Sequence, residues 1–111
     1  MPDAPNASTG LDSNVAAALA YGLGWITGLI FIVAEPNDRF VRFHALQSII
    51  VFGTLSAITL LLQAIPILGM LIAVFLVVPL SAVLWLLLMF KAYQGEKFKL
   101  PIAGDMADQR L

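Results

Sequence analysis

Hydrophobic and polar residues are sorted into long blocks along this chain. Val15 to Ala34 is a run of 20 residues without Asp, Glu, Lys or Arg, and as one helix it would be about 30 Å long, the thickness of a hydrocarbon layer. Ala45 to Phe90 is again free of formal charge. That is too long for one crossing and suits two joined by a tight turn. Pro66 and Gly69, in Gln63-Ala64-Ile65-Pro66-Ile67-Leu68-Gly69, mark the turn: proline removes a backbone donor and pushes Ile65 out of the helix, while glycine tolerates unusual dihedrals. The pattern predicts an all-α integral membrane protein with three transmembrane helices, the second and third forming a tight hairpin. The spans are Val15–Ala34, about Ala45–Ala64 and Ile67–Phe90, with Pro79 kinking the third. Residues 1–14 read as a polar tail, 15–90 as the membrane domain with an interfacial loop at 35–44, and 91–111 as a cytoplasmic juxtamembrane tail.

Composition sharpens this. Of 111 residues 60% are hydrophobic and 12% charged, with a mean hydropathy of +0.93, more apolar surface than a chain of this size can bury by itself. Lipid is the expected solvent and partner. Residues 1–14 carry no Lys or Arg, so they lack the basic region of a secretory leader. All six basic residues, Arg39, Arg42, Lys91, Lys97, Lys99 and Arg110, fall between the first two spans or after the third. With three crossings these segments share a face, and the positive-inside rule then places the N-terminus outside and the C-terminus in the cytoplasm of a plasma-membrane protein. A net charge of −1 offers no field for nucleic acid.

Four groups of side chains stand out. Ala16, Ala20, Gly24 and Gly28 recur every four residues, a helix face that a second helix could approach closely, within the bundle or in another copy. Ser48, Ser56, Thr59 and Gln63 share a stripe of the second span with Ala45 and Phe52. Such a stripe either lines a polar path or satisfies itself on its own helix carbonyls. In Glu35–His44, Asn37 or Asp38 suits a helix N-cap, and Phe40 and Phe43 beside the arginines form an interfacial edge. Arg39, Arg42 and His44 could meet Lys97 and Lys99 in a cytoplasmic interface. Beyond the last span, basic residues alternate with Tyr93, Phe98 and Leu100, a pattern that favours the headgroup region.

LDSNVAAALAYGLGWITGLIF, NDRFVRFHALQSI and KAYQGEKFKLPIAGDMA together resemble a family of small bacterial and archaeal membrane proteins of unknown function, over Leu11 to Ala107. That family is distantly similar to the roughly twenty-kilodalton inner-envelope component of the chloroplast protein import machinery, through Arg42-Phe43-His44-Ala45 with Gln47-Ser48. The import component has four spans, where this chain has room for three. The resemblance implies a membrane location and helix-mediated assembly, and no catalytic residues.

With no Cys, one His and no carboxylate inside a span, neither an enzyme nor an ion-coupled pump is expected, nor a cofactor or metal site. The expectation is a structural or interaction subunit or assembly factor of a membrane complex, bound to other membrane proteins or to itself. The alternative is a component of an oligomeric transport or protein-translocation channel.

Overall fold

The computed structural model describes residues 10–111. It is all-helical: α1 (Ser13–Leu19), α2 (Trp25–Ala34), α3 (Arg39–Leu62), α4 (Pro66–Ile72), a π-helical stretch (Ala73–Val77), α5 (Val78–Tyr93) and α6 (Ala103–Gln109). The residues expected as an N-terminal tail lie mostly outside the described part, and Ser13 and Asn14 already belong to α1.

Two helices are long and apolar enough to cross a membrane, Arg39–Leu62 and the continuous rod Pro66–Tyr93. Asp38 starts α3 by accepting hydrogen bonds from the amides of Phe40 and Val41 at 3.1 and 3.2 Å, so two of the helix's open donors are satisfied. Between the two long helices, residues 63–65 form the tight turn. Ile65 is extended (φ −110°, ψ 99°) ahead of Pro66, which occupies the first turn of α4. A Cβ on Gly69 would lie 1.8 Å from the Leu62 carbonyl oxygen, so only glycine permits a return this close. At Pro79, which cannot donate to the helix ladder, the irregularity is absorbed by the π-helical stretch just before it.

The first apolar run departs from the single 20-residue helix expected of it. It breaks after α1, passes through a turn at residues 20–24, and restarts as α2. Gly24 sits at φ +65°, ψ −134°, a conformation open to glycine and strained for other residues. Thr27 secures the break: its hydroxyl accepts from the Leu23 amide at 2.9 Å and lies 3.0 and 3.2 Å from the carbonyl oxygens of Ala20 and Gly24.

The two halves run in opposite directions. Ser13 bonds Asp38 at the start of α3, and Asn14 donates to the Tyr93 carbonyl at the end of α5 at 2.8 Å. Tyr21 has moved along α3 to His44 and Gln47. Gly24 then meets Phe52, and Gly28 is back beside Ala45, Ser48 and Ile49. The segment is a helical hairpin whose two ends lie at the same end of the molecule, about 20 Å along α3 from its tip. This corrects the expectation of a first crossing with its ends on opposite faces: a charge-free run has the length of a span whether it continues straight or folds in two.

The core follows from this arrangement. Ala16, Ala17, Ala18 and Tyr21 of the hairpin pack with Phe40, Val41, Val51 and Phe52 of α3 and with Leu88 and Ala92 of α5. The far half of both long helices has no such cover, and Leu60, Leu61, Ile67, Phe75 and Leu76 are exposed. In lipid that exposure is favourable.

Candidate functional site

The densest concentration of buried polar chemistry lies on one stretch of α3, where His44, Gln47 and Ser48 are all fully buried. Gln47 donates from Nε2 to Tyr21 Oη at 2.9 Å and to the Phe98 carbonyl at 2.9 Å, and its Oε1 accepts from the Leu100 amide at 2.9 Å. Tyr21 Oη lies 2.7 Å from His44 Nδ1, and His44 Nε2 lies 2.9 Å from the Glu96 carbonyl oxygen. A carbonyl only accepts, so Nε2 carries a proton. With Gln47 donating to the phenol oxygen, the phenol's own hydrogen goes to Nδ1. The chain of donors is complete for a neutral imidazole, and no buried side-chain nitrogen or oxygen among the described residues is left without a partner.

Aromatic rings enclose His44. Tyr21, Phe40 and Phe43 stand edge-on to it, with centroids at 5.4, 4.7 and 5.1 Å. Two further bonds pin the hairpin tip: Ser48 Oγ donates to the Gly24 carbonyl at 2.7 Å, and Trp85 Nε1 on α5 donates to the Tyr21 carbonyl at 2.8 Å.

The C-terminal segment is drawn into the same site. Residues 96–100 run without regular structure along α3, from Glu96 at His44 to Leu100 at Gln47, and α6 then doubles back. Lys97 pairs with Asp108, and Lys99 with Asp108 at 3.0 Å and Asp105 at 3.9 Å. At the bend a Cβ on Gly104 would lie 2.4 Å from the Lys99 Cβ. Hydrogen bonds from Lys97 and then Lys99 pull the Asp108 carboxyl down to about 2. The bond to Asp108 in turn raises Lys99 above the ordinary lysine value. The segment expected as a cytoplasmic tail is thus a second hairpin docked on α3, opposite in sequence and joined through Gln47 to the first.

The residues singled out by sequence are distributed as follows. Ala16 and Ala20 are buried in the α1 half of the hairpin, Gly24 is at its tip and Gly28 on α2. They therefore do not form one helix face. Gly28 is the closest approach, since a Cβ there would meet the Ala45 carbonyl oxygen at 2.8 Å. Along α3, Thr59 donates to the Leu55 carbonyl at 2.9 Å and Gln63 to the Thr59 carbonyl at 3.3 Å. Ser56 lines a cleft of about 710 Å³ between the hairpin tip, α3 and the first half of α5.

Of the basic cluster, His44 is buried among rings. Lys97 pairs with Asp108 and stands 4.9 Å over the Phe43 ring. Arg39 and Arg42 are on the first turn of α3. Sequence reasoning gave Tyr21 no role and met Gln47 only within the family motif; their signal was a phenol and an amide set among apolar residues, where each needs a partner. Among the described residues no three His, Cys, Asp or Glu side chains gather as a metal cluster would require.

The profile of a family described as the magnetosome magnetite crystal formation protein family matches residues 10–107. A UPF0132 membrane protein of Methanocaldococcus jannaschii is 50% identical over 103 residues, 92% of this chain and 91% of that protein. A second from the same organism is 44% identical over 100 residues, 90% and 71% of the two chains. One from Archaeoglobus fulgidus is 42% identical over 101 residues, 91% and 97%. No solved structure matches the chain. These relatives support a small membrane-protein family; likeness to the chloroplast import component is not among what they show.

Proposed function

The chain belongs to the family matched over residues 10–107, and on the premise that it is a membrane protein we propose that it serves as a non-catalytic structural subunit or assembly factor of a membrane complex. One observation carries this reading: the buried polar side chains of α3 are spent holding the chain's own two hairpins. His44 and Gln47 reach Tyr21 on one side and residues 96–100 on the other. The exterior left over is broadly apolar on both long helices, a surface suited to lipid and to other membrane helices. The family description speaks of magnetite crystal formation, and the relatives' names add only that they are membrane proteins.

We also propose two full crossings, α3 and the Pro66–Tyr93 rod, with the α1–α2 hairpin re-entrant. All six basic residues then stay at one end, as the positive-inside rule asks, and both termini are cytoplasmic at the plasma membrane. Support for a common side comes from Ser13 bonding Asp38 and Asn14 bonding Tyr93.

The test is the native mass in mild detergent with co-purifying chains identified. Discrete association with other membrane proteins, or a defined homo-oligomer, is the expected result, and a free monomer at membrane concentrations contradicts the reading. A channel component is the second reading, supported by Ser56 and Thr59 on the cleft; solute flux through liposomes holding the chain alone would favour it.

A further inference from the structure

The tip of the second hairpin holds a strained residue. Ile102, at φ 68° and ψ −61°, is the one non-glycine with positive φ among the described residues. The Ala103 amide donates across it to the Pro101 carbonyl at 2.7 Å, which makes residues 101–103 a γ-turn of the rare, strained hand. Glycine would adopt that conformation freely, and a β-branched side chain resists it. The Ile102 side chain is nonetheless 75% exposed. In water, strain and an exposed apolar surface would both count against isoleucine here; in hydrocarbon the same exposure is favourable.

The depth of this tip can be read off the two long helices. Glu96 meets His44, and Gln47 holds the Phe98 carbonyl and the Leu100 amide, so the chain from 96 to 100 advances along α3 away from its charged start. Pro101 and Ile102 then share a groove with Val51, Thr54 and Leu55 of α3 and Leu84 of α5. Thr54 is about 14 Å along α3 from Ala45, where the charge-free block begins, and Leu84 is about 9 Å along α5 from Phe90, where it ends. Both helices therefore put the tip well inside the apolar block, near the level of Gly24 at the tip of the first hairpin, which meets Phe52. Charge is sorted in the same way. Residues 100–104 carry none, whereas Lys97, Lys99, Asp105 and Asp108 pair with one another at the base, where Lys97 stands over the Phe43 ring. Pro101 has no N–H, and of the four amides between Leu100 and Gly104 those of Leu100, Ala103 and Gly104 are bonded, which limits the cost of taking this backbone out of water.

We propose that residues 98–106 are a second re-entrant loop, which enters the bilayer from the cytoplasmic side and buries Pro101 and Ile102 among the acyl chains of that leaflet. The partner of this surface is lipid hydrocarbon, which surrounds α3 and α5 at the same depth. Mutual pairing of the lysines and aspartates neutralises the loop where it passes the headgroups. The inference rests on the proposed crossings by α3 and the Pro66–Tyr93 rod.

The experiment is nitroxide labelling of single cysteines in the full chain, in phosphatidylcholine and phosphatidylglycerol liposomes. Collision rates are measured with oxygen, which concentrates in hydrocarbon, and with a neutral nickel chelate, which stays in water. Val83, Leu86 and Phe90, exposed along α5, give the depth scale, and Gln109 gives the aqueous reference. A label on Ile102→Cys should show an oxygen-to-nickel ratio several-fold above that on Gln109→Cys and within the range of the α5 positions. Pro101→Cys, exposed at the same tip, should agree, and it serves alone if labelling residue 102 alters the circular dichroism or elution volume. Nickel access at the tip equal to that at Gln109, with the α5 scale intact, overturns the proposal and leaves the crossings standing. Shielding of the tip from both reagents, as a second copy would give, overturns it too. A flat scale along α5 removes the crossings and the loop together.

Discussion

Gln47 and Tyr21 meet at 2.9 Å, amide nitrogen to phenol oxygen, across 26 residues of chain. Because the same amide also bonds Phe98 and Leu100, one side chain joins the first hairpin to the second. Replacing Gln47 with Leu leaves a carbonyl, an amide and a phenol short of a partner. At about 1–3 kcal/mol for each group left unsatisfied, partly relieved by rearrangement, the loss should be roughly 2–5 kcal/mol. Reversible unfolding in mixed micelles measures it. Tyr21→Phe should cost less, and a double-mutant cycle should show the two coupled; additive effects would mean the network does not act as a unit.

Gly28 tests the packing of the hairpin on α3. Gly28→Val places a branched side chain where even a Cβ meets the Ala45 carbonyl oxygen at 2.8 Å. The backbone must move, with a loss of about 1–3 kcal/mol. Gly53, which has nothing within 4 Å of its Cβ position, is the control: Gly53→Ala should leave stability equal or slightly higher.

Topology can be read by labelling, because the chain has no native cysteine. Gly10→Cys and Gln109→Cys should react with an impermeant maleimide from the same side, and Ala64→Cys, in the turn, from the other. Labelling of residues 10 and 109 from opposite sides would sink the re-entrant reading and restore three crossings.

The second hairpin should loosen in acid. The Asp108 carboxyl is held at about 2 by Lys97 and Lys99, below the ordinary Asp value near 4. A group with a depressed folded-state value contributes stability fully above its unfolded value and loses it as pH falls through the folded one. The protection factors of the amides over residues 103–109, with the intrinsic pH dependence of exchange divided out, should therefore be constant above about pH 5 and fall between about pH 4 and 2. Asp108→Asn should show the faster exchange at neutral pH. High salt should blunt the difference, since both partners are substantially solvent-exposed.

Much of the architecture is legible in the residues. Pro66 and Gly69 mark the turn, and Asp38 marks the start of α3, because backbone chemistry at those points depends on local residue type. The hairpin in the first apolar run was not legible in the same way. Charge and length describe a straight span and a folded one equally, and Gly24 and Gly28 read as a helix face only while the helix is assumed continuous. Gly22, Gly24 and Thr27 together carried the opposing signal. The docking of residues 96–109 is a long-range matter: nothing local to Lys97-Phe98-Lys99 reveals that its backbone answers the amide of a residue some fifty positions earlier.

That separation in sequence bears on how the protein is made. Residues 13–34 leave the ribosome well before Glu96, Phe98 and Leu100 exist, so the imidazole of His44 and the amide of Gln47 first meet Tyr21 with their bonds to those three residues still open. The newborn hairpin must wait, held first by α3 and then also by α5 through Trp85, and closes into its final form only when the tail arrives.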